Sequence, residues 1–151
     1  MSEPLIYDAE NLIMGRMATV VAKKLLEGKS VIIVNAEKTV LTGNRKYLIK
    51  QFKKRTQIKT KSNPKHGPFW PRTPHGILKR TIRGMLPWKK PRGKAAHKQL
   101  KVYSGVPYEY REVQRLSISD ADAKRTYSPT TPLLRLALEI GFNPLTLTES
   151  V

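Results

Sequence analysis

The chain has 151 residues, 29 Lys and Arg against 11 Asp and Glu, a net charge of +18 and no cysteine. This length fits one domain, and the lack of cysteine excludes disulfides, thiolate zinc sites and cysteine nucleophiles. No apolar run approaches the ~18–20 residues that span a bilayer, and the first residues do not resemble a secretory signal. We therefore expect a cytoplasmic protein with a polyanionic partner, most commonly nucleic acid.

The start of the chain predicts a strand, a helix and a second strand. Residues 5–7 are a short strand candidate, and apolar residues then recur at helical spacing from Met14 until Gly28, a typical helix C-cap. Val31–Val34 is a continuous β-branched run, typical of a strand buried on both faces. This order favours a small, mostly parallel sheet covered by helices.

A helix with one basic side is predicted after a short strand at residues 40–41. Leu48, Ile49 and Phe52 share its apolar side, and lysines occupy the other side. The segment 56–73 contains several prolines and no hydrophobic period, which predicts an extended basic loop. A loop of this length in a compact domain is usually functional, or disordered when free.

Two more helices and a strand are predicted before residue 104. The first runs from Pro74 to the residue before Pro87. Its predicted apolar residues are Leu78, Ile82, Met85 and Leu86. Residues 91–99 predict a shorter helix with Ala95 and Ala96 facing inward, and residues 100–103 predict a strand.

The last part of the chain has weaker patterns. Residues 108–119 remain ambiguous, whereas Thr131 and Pro132 predict the start of a final helix that Gly141 caps. We interpret residues 1–151 as a single domain with a core at about 5–110 and a C-terminal extension at about 111–151.

The positive charge is concentrated in one part of the chain. Residues 38–108 hold 20 Lys and Arg and no Asp or Glu, whereas the other 80 residues hold nine basic and 11 acidic residues. A solvated face would mix both signs, and a basic tail would lack the apolar residues that recur here. The pattern therefore predicts a folded segment that binds nucleic acid.

Aromatic residues within this segment suit unpaired bases, which stack on rings while Lys and Arg hold phosphates. Phe69, Trp70 and Trp88 lie among prolines and cations and are the stacking candidates, whereas Tyr47 is more readily a core residue. On the predicted helices, cations four residues apart form ridges that can follow a phosphate backbone.

Catalytic and metal-binding patterns are weak. No Cys, Asp or Glu lies within ten residues of His66, His75 or His97, which disfavours metal sites and His–carboxylate pairs. The segment 27–30 imitates the end of a phosphate-binding loop, but Lys23 stands where the first glycine is needed. We expect no catalytic residue, no metal, no cofactor and no small-molecule substrate.

Several segments resemble one known family. Residues 81–87 (TIRGMLP) and 98–105 (KQLKVYSG) are similar to the central signature of the universal large-subunit ribosomal protein family numbered thirteen. Residues 15–19, 34–38 and 41–43 resemble its earlier segments in the same order. The loop 66–72 (HGPFWPR) resembles the archaeal and eukaryotic branch, and the resemblance covers residues 7–107.

The resemblance implies an α/β fold, namely a three-layer α/β/α single domain around a small, mostly parallel sheet, with a basic extended loop and a C-terminal extension. It also implies a structural role in the large ribosomal subunit, with ribosomal RNA and neighbouring ribosomal proteins as partners and no membrane. The candidate RNA-binding residues are Arg16, Arg45, Lys46, Lys50, Lys53, Lys54, Arg55, Lys59, Lys61, Lys65, His66, Phe69, Trp70, Arg72, Lys79, Arg80, Arg83, Trp88, Lys89, Lys90, Arg92, Lys94, Lys98 and Lys101.

Two other functions compete with this interpretation. A free-standing nucleic-acid-binding regulatory protein would show symmetric dimer helices or a single recognition motif, and the sequence shows neither. A nucleotide-dependent enzyme would need the phosphate-binding loop that the chain lacks.

Overall fold

The computed structural model describes residues 4–144. Its strands and helices are β1 (Leu5–Asp8), α1 (Met14–Leu26), β2 (Val31–Val34), β3 (Val40–Thr42), α2 (Arg45–Gln57), α3 (Pro74–Met85), α4 (Pro91–Lys98), β4 (Leu100–Val102), β5 (Thr130–Pro132) and α5 (Leu133–Glu139). Among these residues, no helix has the length and apolar character needed to cross a membrane. Residues 145–151 of the predicted C-terminal extension lie outside the described part.

The main sheet has three parallel strands, with β2 between β1 and β4. Ile32 pairs with Ile6 on one side and with Lys101 on the other, and every residue of β2 is buried, as its β-branched run predicts. β3 and β5 form a separate antiparallel pair, with Leu41 opposite Thr131. These elements confirm the predicted α/β fold with a small, mostly parallel sheet.

One face of the sheet packs against the helices. The inward side chains of the sheet share a core with almost fully buried side chains of two helices. These are Met17, Val21 and Leu25 of α1 and Leu78 and Ile82 of α3. Each buried side chain of this size contributes about 1.5–3 kcal/mol relative to its exposed state. The core therefore fixes α3, and with it the cations on the outer side of α3, relative to the sheet.

The other face of the sheet is covered by an irregular segment. Ile6, Ile32 and Val34 form a second apolar cluster, and Tyr103 and Tyr110 pack against it. Here residues 103–110 contain only one 3-10 turn, so this third layer is present without an α-helix. Beyond it, Leu116 pairs with β1 through backbone hydrogen bonds to residues 6 and 8, which explains the ambiguous pattern of residues 108–119.

Some predicted boundaries are wrong. α2 continues to Gln57, so the loop begins at Ile58 and not at residue 56, and it contains a short 3-10 turn at Pro64–His66. The last helix begins at Leu133 and not at Thr131, because Thr130–Pro132 forms β5. The partner of β5 lies about 90 residues away in the chain, and a local pattern carries no information about such a pairing.

The predicted inward position of Ala95 is also wrong. Ala95 is exposed, because α4 buries Gly93 and Ala96, which lie three residues apart on its inner side. Met85, in the last turn of α3, is 41% exposed and contacts the exposed Thr19 of α1. Within the predicted extension, Leu133 and Leu136 of α5 are fully buried in the same core as α1 and α3.

Candidate nucleic-acid interface

Most cations of residues 38–108 have no acidic partner. Among the residues that the structure describes, only Lys38, Arg45 and Lys53 of the twenty form ion pairs, the first with Glu10 and the other two with Glu139. The other seventeen form no ion pair with any residue of the described range 4–144. Because exposed ion pairs of this kind contribute about 0–1 kcal/mol, even Arg45 and Lys53 remain available to a polyanion.

The outer side of α2 presents lysines that follow the helical repeat. Asn44 caps this helix, since its side chain accepts a hydrogen bond from the backbone N–H of Lys46 at 2.9 Å. Four exposed lysines then share its outer side with the half-buried Ile49, and they are Lys46, Lys50, Lys53 and Lys54. They form a ridge that can follow a phosphate backbone.

Tyr47 does not lie in the core. Its side chain is 64% exposed, because α2 turns only Leu48 and Phe52 fully inward. The expectation of a core residue is therefore wrong, and Tyr47 lies among the exposed lysines of α2.

Cations of α3 and a histidine of α4 line a small cavity of about 210 Å³. Lys79, Arg80 and Arg83 of α3 line it together with His97 of α4, and no acidic residue contributes. Burial, and then the charges of Lys79 and Arg83, lower the pKa of His97 below its ordinary value, so the neutral imidazole prevails at neutral pH. The cavity thus concentrates positive charge where the two helices meet.

Trp70 attaches the end of the basic loop to the helices. Its ring centroid lies 3.6 Å from the guanidinium carbon of Arg80 and 5.4 Å from that of Arg55. Nη1 of Arg80 also donates a 2.7 Å hydrogen bond to the carbonyl oxygen of Phe69. The ring of Phe69 itself is 72% exposed, so it is free to contact a partner, whereas Trp70 is half-buried.

Trp88 lies between Arg83 of α3 and His97 of α4. The guanidinium carbon of Arg83 is 5.1 Å from its ring centroid, and the ring of His97 meets it edge-on at 5.0 Å. Trp88 stays close to α4 because Gly93 packs directly on the turn that precedes the helix. A Cβ atom at Gly93 would overlap the carbonyl oxygen of Pro87.

The remaining candidates are spread around these helices. Arg92 has a structural contact, since its Nη2 donates to the carbonyl oxygen of Leu26 at 3.0 Å and links α4 to α1. Arg16 is exposed in the first turn of α1, far along the chain from the others. Ten further candidates, in the loop, in the turn before α4, in α4 and in β4, are exposed and form no ion pair with the described residues. They are Lys59, Lys61, Lys65, His66, Arg72, Lys89, Lys90, Lys94, Lys98 and Lys101.

A larger pocket of about 460 Å³ lies between α2 and α3. Leu48 and Phe52 of α2 and Ile77 of α3 form part of its apolar floor, and Trp70 closes one side. Three arginines also line it, namely Arg55, Arg80 and Arg83. Within residues 4–144, no group of three or more His, Asp or Glu is arranged to hold a metal ion.

Comparison with known proteins shows the family. A family model described as "Ribosomal protein L13" matches residues 2–109. The chain belongs to the ribosomal protein L13 family. It is 46% identical to the large ribosomal subunit protein uL13 of Methanococcoides burtonii over 82% of this chain and 86% of the relative. The uL13 proteins of Methanosarcina barkeri and Methanocaldococcus jannaschii are 45% and 46% identical, over 79% and 74% of this chain and 84% and 82% of theirs.

Membership of the L13 family confirms the resemblance, including its branch, since the relatives named are archaeal. The segments that carry the resemblance, residues 81–87 and 98–105, lie on α3 with the turn after it and on the end of α4 with β4. They therefore adjoin the cavity that Arg83 and His97 line.

One feature of this L13-family chain was missed by sequence reasoning, namely the pocket between α2 and α3. Its lining includes Met14, Leu41, Gln51, Trp70 and Gly84, which belong to α1, β3, α2, the loop and α3. No spacing along the chain relates these segments, because only the packing of the helices brings them together.

Proposed function

We propose that this chain is a structural component of the large ribosomal subunit. It binds and stabilises folded large-subunit ribosomal RNA through residues 38–108, and it catalyses no reaction. The single observation that carries this proposal is the surface formed by seventeen cations that have no acidic partner within residues 4–144, spread over α2, the loop, α3, α4 and β4. Its relatives are named as large-subunit proteins, which supports the same assignment.

The physical argument rests on counterion release. A cation that contacts a phosphate displaces condensed counterions from the RNA, so a surface rich in unpaired Lys and Arg gains affinity for folded RNA without reading its sequence. The cations lie on the loop and on α2, α3, α4 and β4, and these four elements contribute side chains to one core. Such an arrangement suits contacts with more than one RNA segment, which would hold those segments together.

The near-neutral remainder of the chain suits a different kind of neighbour. Residues 109–144 contain both signs of charge, including an ion pair of 2.8 Å between Arg125 and Asp120. We propose that this side faces neighbouring ribosomal proteins in the cytoplasmic ribosome. The exposed aromatic side chain of Tyr127 suits protein contacts of this kind.

Sedimentation tests the proposed function. In a sucrose gradient of a cell extract at low salt, the protein is expected to migrate with the large subunit and to leave it when the salt concentration rises. A persistent pool free of ribosomes would instead support a free-standing regulatory protein.

A matched pair of triple variants tests the role of the basic segment. Lys46, Lys50 and Lys54 are changed to Gln in one variant, and Lys23, Lys29 and Lys124 are changed in the other; all six are exposed. The first variant is expected to lose affinity for a large-subunit ribosomal RNA transcript, while the second keeps most of it. Equal losses would show that only net charge matters and would contradict an interface at residues 38–108.

A further inference from the structure

We propose that the pocket between α2 and α3 receives one unstacked nucleobase of the bound RNA. This inference rests on the proposed function and adds a specific subsite to it. The pocket of about 460 Å³ lies within the ~300–1,000 Å³ typical of sites for small ligands. It opens among the cations that are expected to hold the backbone.

The walls of the pocket suit the faces of a base. Leu48, Phe52 and Ile77 are each less than 10% exposed and offer an apolar floor. Trp70 and Arg80 form a stacked pair on one side, with 3.6 Å between the guanidinium carbon and the ring centroid. Aromatic rings and guanidinium planes are the two protein surfaces on which unpaired bases stack.

The charges around the pocket favour a nucleotide over a protein side chain. Arg55, Arg80 and Arg83 line it, and no Asp or Glu does. An apolar side chain of a partner protein would fill the floor but leave these arginines without an anion. The phosphates on either side of an extruded nucleotide supply those anions, and a guanidinium can bind a phosphate through two hydrogen bonds.

One polar side chain of the lining can recognise the edge of a base. Gln51 makes no side-chain hydrogen bond within the part of the chain that the structure describes, and its amide offers both donors and an acceptor. The hydroxyl of Thr81, by contrast, already donates to the carbonyl oxygen of Ile77 at 3.0 Å. Gln51 is therefore the group that can hydrogen-bond a base in this pocket.

The pocket is formed before the ligand arrives. Arg80 is held from two sides, by its stack on Trp70 and by its hydrogen bond to the carbonyl oxygen of Phe69. The buried floor belongs to the core of the domain. A preformed site loses less conformational entropy on binding, which favours a single well-defined position for the base.

Gly84 provides a way to fill the pocket without disturbing the fold. It lines the pocket, and a Cβ atom at this position would meet no atom within 4 Å. Gly84→Phe places a ring in the space that the base would occupy, whereas Gly84→Ala adds one methyl group and serves as the matched control. Both changes also remove a glycine from a helix, which favours the folded state.

The experiment measures the affinity of these variants for a large-subunit ribosomal RNA transcript at one salt concentration. Loss of a stacked base is expected to weaken binding by about 5- to 150-fold in Gly84→Phe. Gly84→Ala adds only a methyl group and should lose less affinity than Gly84→Phe, and the dependence of affinity on salt should be the same in all three proteins, because no phosphate contact is removed.

A second readout reports on the pocket itself. In a Trp88→Phe background, Trp70 is the sole tryptophan. RNA is expected to quench the fluorescence of Trp70 in the Trp88→Phe protein and in the Trp88→Phe, Gly84→Ala double variant. It is not expected to do so in the Trp88→Phe, Gly84→Phe double variant. Should Gly84→Phe fail to fold by circular dichroism, Gln51→Leu replaces it and is expected to weaken binding.

The outcomes separate the two proposals. A parent protein that does not bind the transcript would overturn the proposed function. A parent that binds, with pocket variants of unchanged affinity and unchanged quenching, would overturn the nucleobase pocket alone and leave the space to a protein segment.

Discussion

Arg80 and Trp70 form the tightest cation–aromatic contact of residues 4–144, with 3.6 Å between the guanidinium carbon and the ring centroid. The same arginine donates a hydrogen bond to the carbonyl oxygen of Phe69. Burial, and then the charges of Arg83 and Arg55, lower the pKa of Arg80, although a guanidinium remains protonated at neutral pH. α3 therefore holds the end of the basic loop through two contacts of one charged side chain.

We predict that neighbouring aromatic residues of this loop have different effects. Trp70→Ala should lower the free energy of unfolding by about 1–3 kcal/mol, because the half-buried ring and its contact with Arg80 are lost. Phe69→Ala, whose ring is exposed, should change stability by less than about 0.5 kcal/mol and yet weaken RNA binding. Urea unfolding and RNA titration of both variants measure this, and equal stability losses would contradict it.

Local sequence patterns predicted the elements whose own residues show a clear hydrophobic repeat or a β-branched run. The apolar residues of α1 recur on one face, and Val31–Val34 is a run of four β-branched residues, so both could be placed before the structure was known. β5 has three residues and no alternation, and its strand character arises only from pairing with β3. Its position could not be derived from the residues alone.

The candidate site likewise has features that the sequence predicts and features that depend on tertiary packing. The lack of acids between residues 38 and 108 predicted where the cations would concentrate, because charge is a property of composition. Sequence reasoning misplaced Tyr47, because the helical pattern of α2 does not show how narrow its buried side is. The pairing of Arg45 with Glu139, across 94 positions, also depends on tertiary packing.

RNA affinity should depend strongly on salt. If about 6–10 of the seventeen unpaired cations contact phosphates, affinity should fall by about 10³–10⁵ between 50 and 200 mM salt, as for duplexes. Filter binding of a large-subunit ribosomal RNA transcript at several salt concentrations measures the slope. A nearly flat profile would mean that phosphate contacts are few.

Arg83 should contribute to RNA affinity more than a lysine outside the basic segment. It lines the cavity between α3 and α4 and lies 5.1 Å from the ring of Trp88. Arg83→Ala is expected to cost roughly 1–3 kcal/mol of binding free energy. Arg83→Lys should bind RNA more weakly than the parent, because lysine cannot make a bidentate contact with a phosphate. Lys23→Ala, on the exposed side of α1, is the control. Equal effects of the two alanine variants would contradict a special role for Arg83.

Removal of one buried hydroxyl should stabilise the fold. Thr39 is fully buried, and its Oγ1 has no hydrogen-bond partner among the described residues. Thr39→Val keeps the shape of the side chain and removes the unsatisfied group, so we expect a gain of about 1–2 kcal/mol in the free energy of unfolding. Thr81→Val is the matched control, because that hydroxyl donates to the carbonyl oxygen of Ile77 and its removal should bring no gain. A melting temperature of Thr39→Val at or below that of the parent would contradict the expectation.

The basic loop is expected to order on RNA. All side chains of residues 58–66 are exposed, and the hydrogen bonds of the 3-10 turn at Pro64–His66 are local to the loop. Ordering the backbone costs about 1–2 kcal/mol per residue, and these local contacts do not offset that cost. Phe69 and Trp70, by contrast, are held against α3 by Arg80. The mobile part should therefore be residues 58–68.

Hydrogen exchange measures this directly. In the free protein, amides of residues 58–68 should exchange far faster than those of Val31–Val34, which lie in the central strand of the sheet. With a large-subunit ribosomal RNA transcript bound, phosphates neutralise Lys59, Lys61 and Lys65, and the loop amides should slow, while the prolines of the loop limit the entropy that is lost. Protection of the free loop equal to that of Val31–Val34 would show that the loop is ordered by the protein alone.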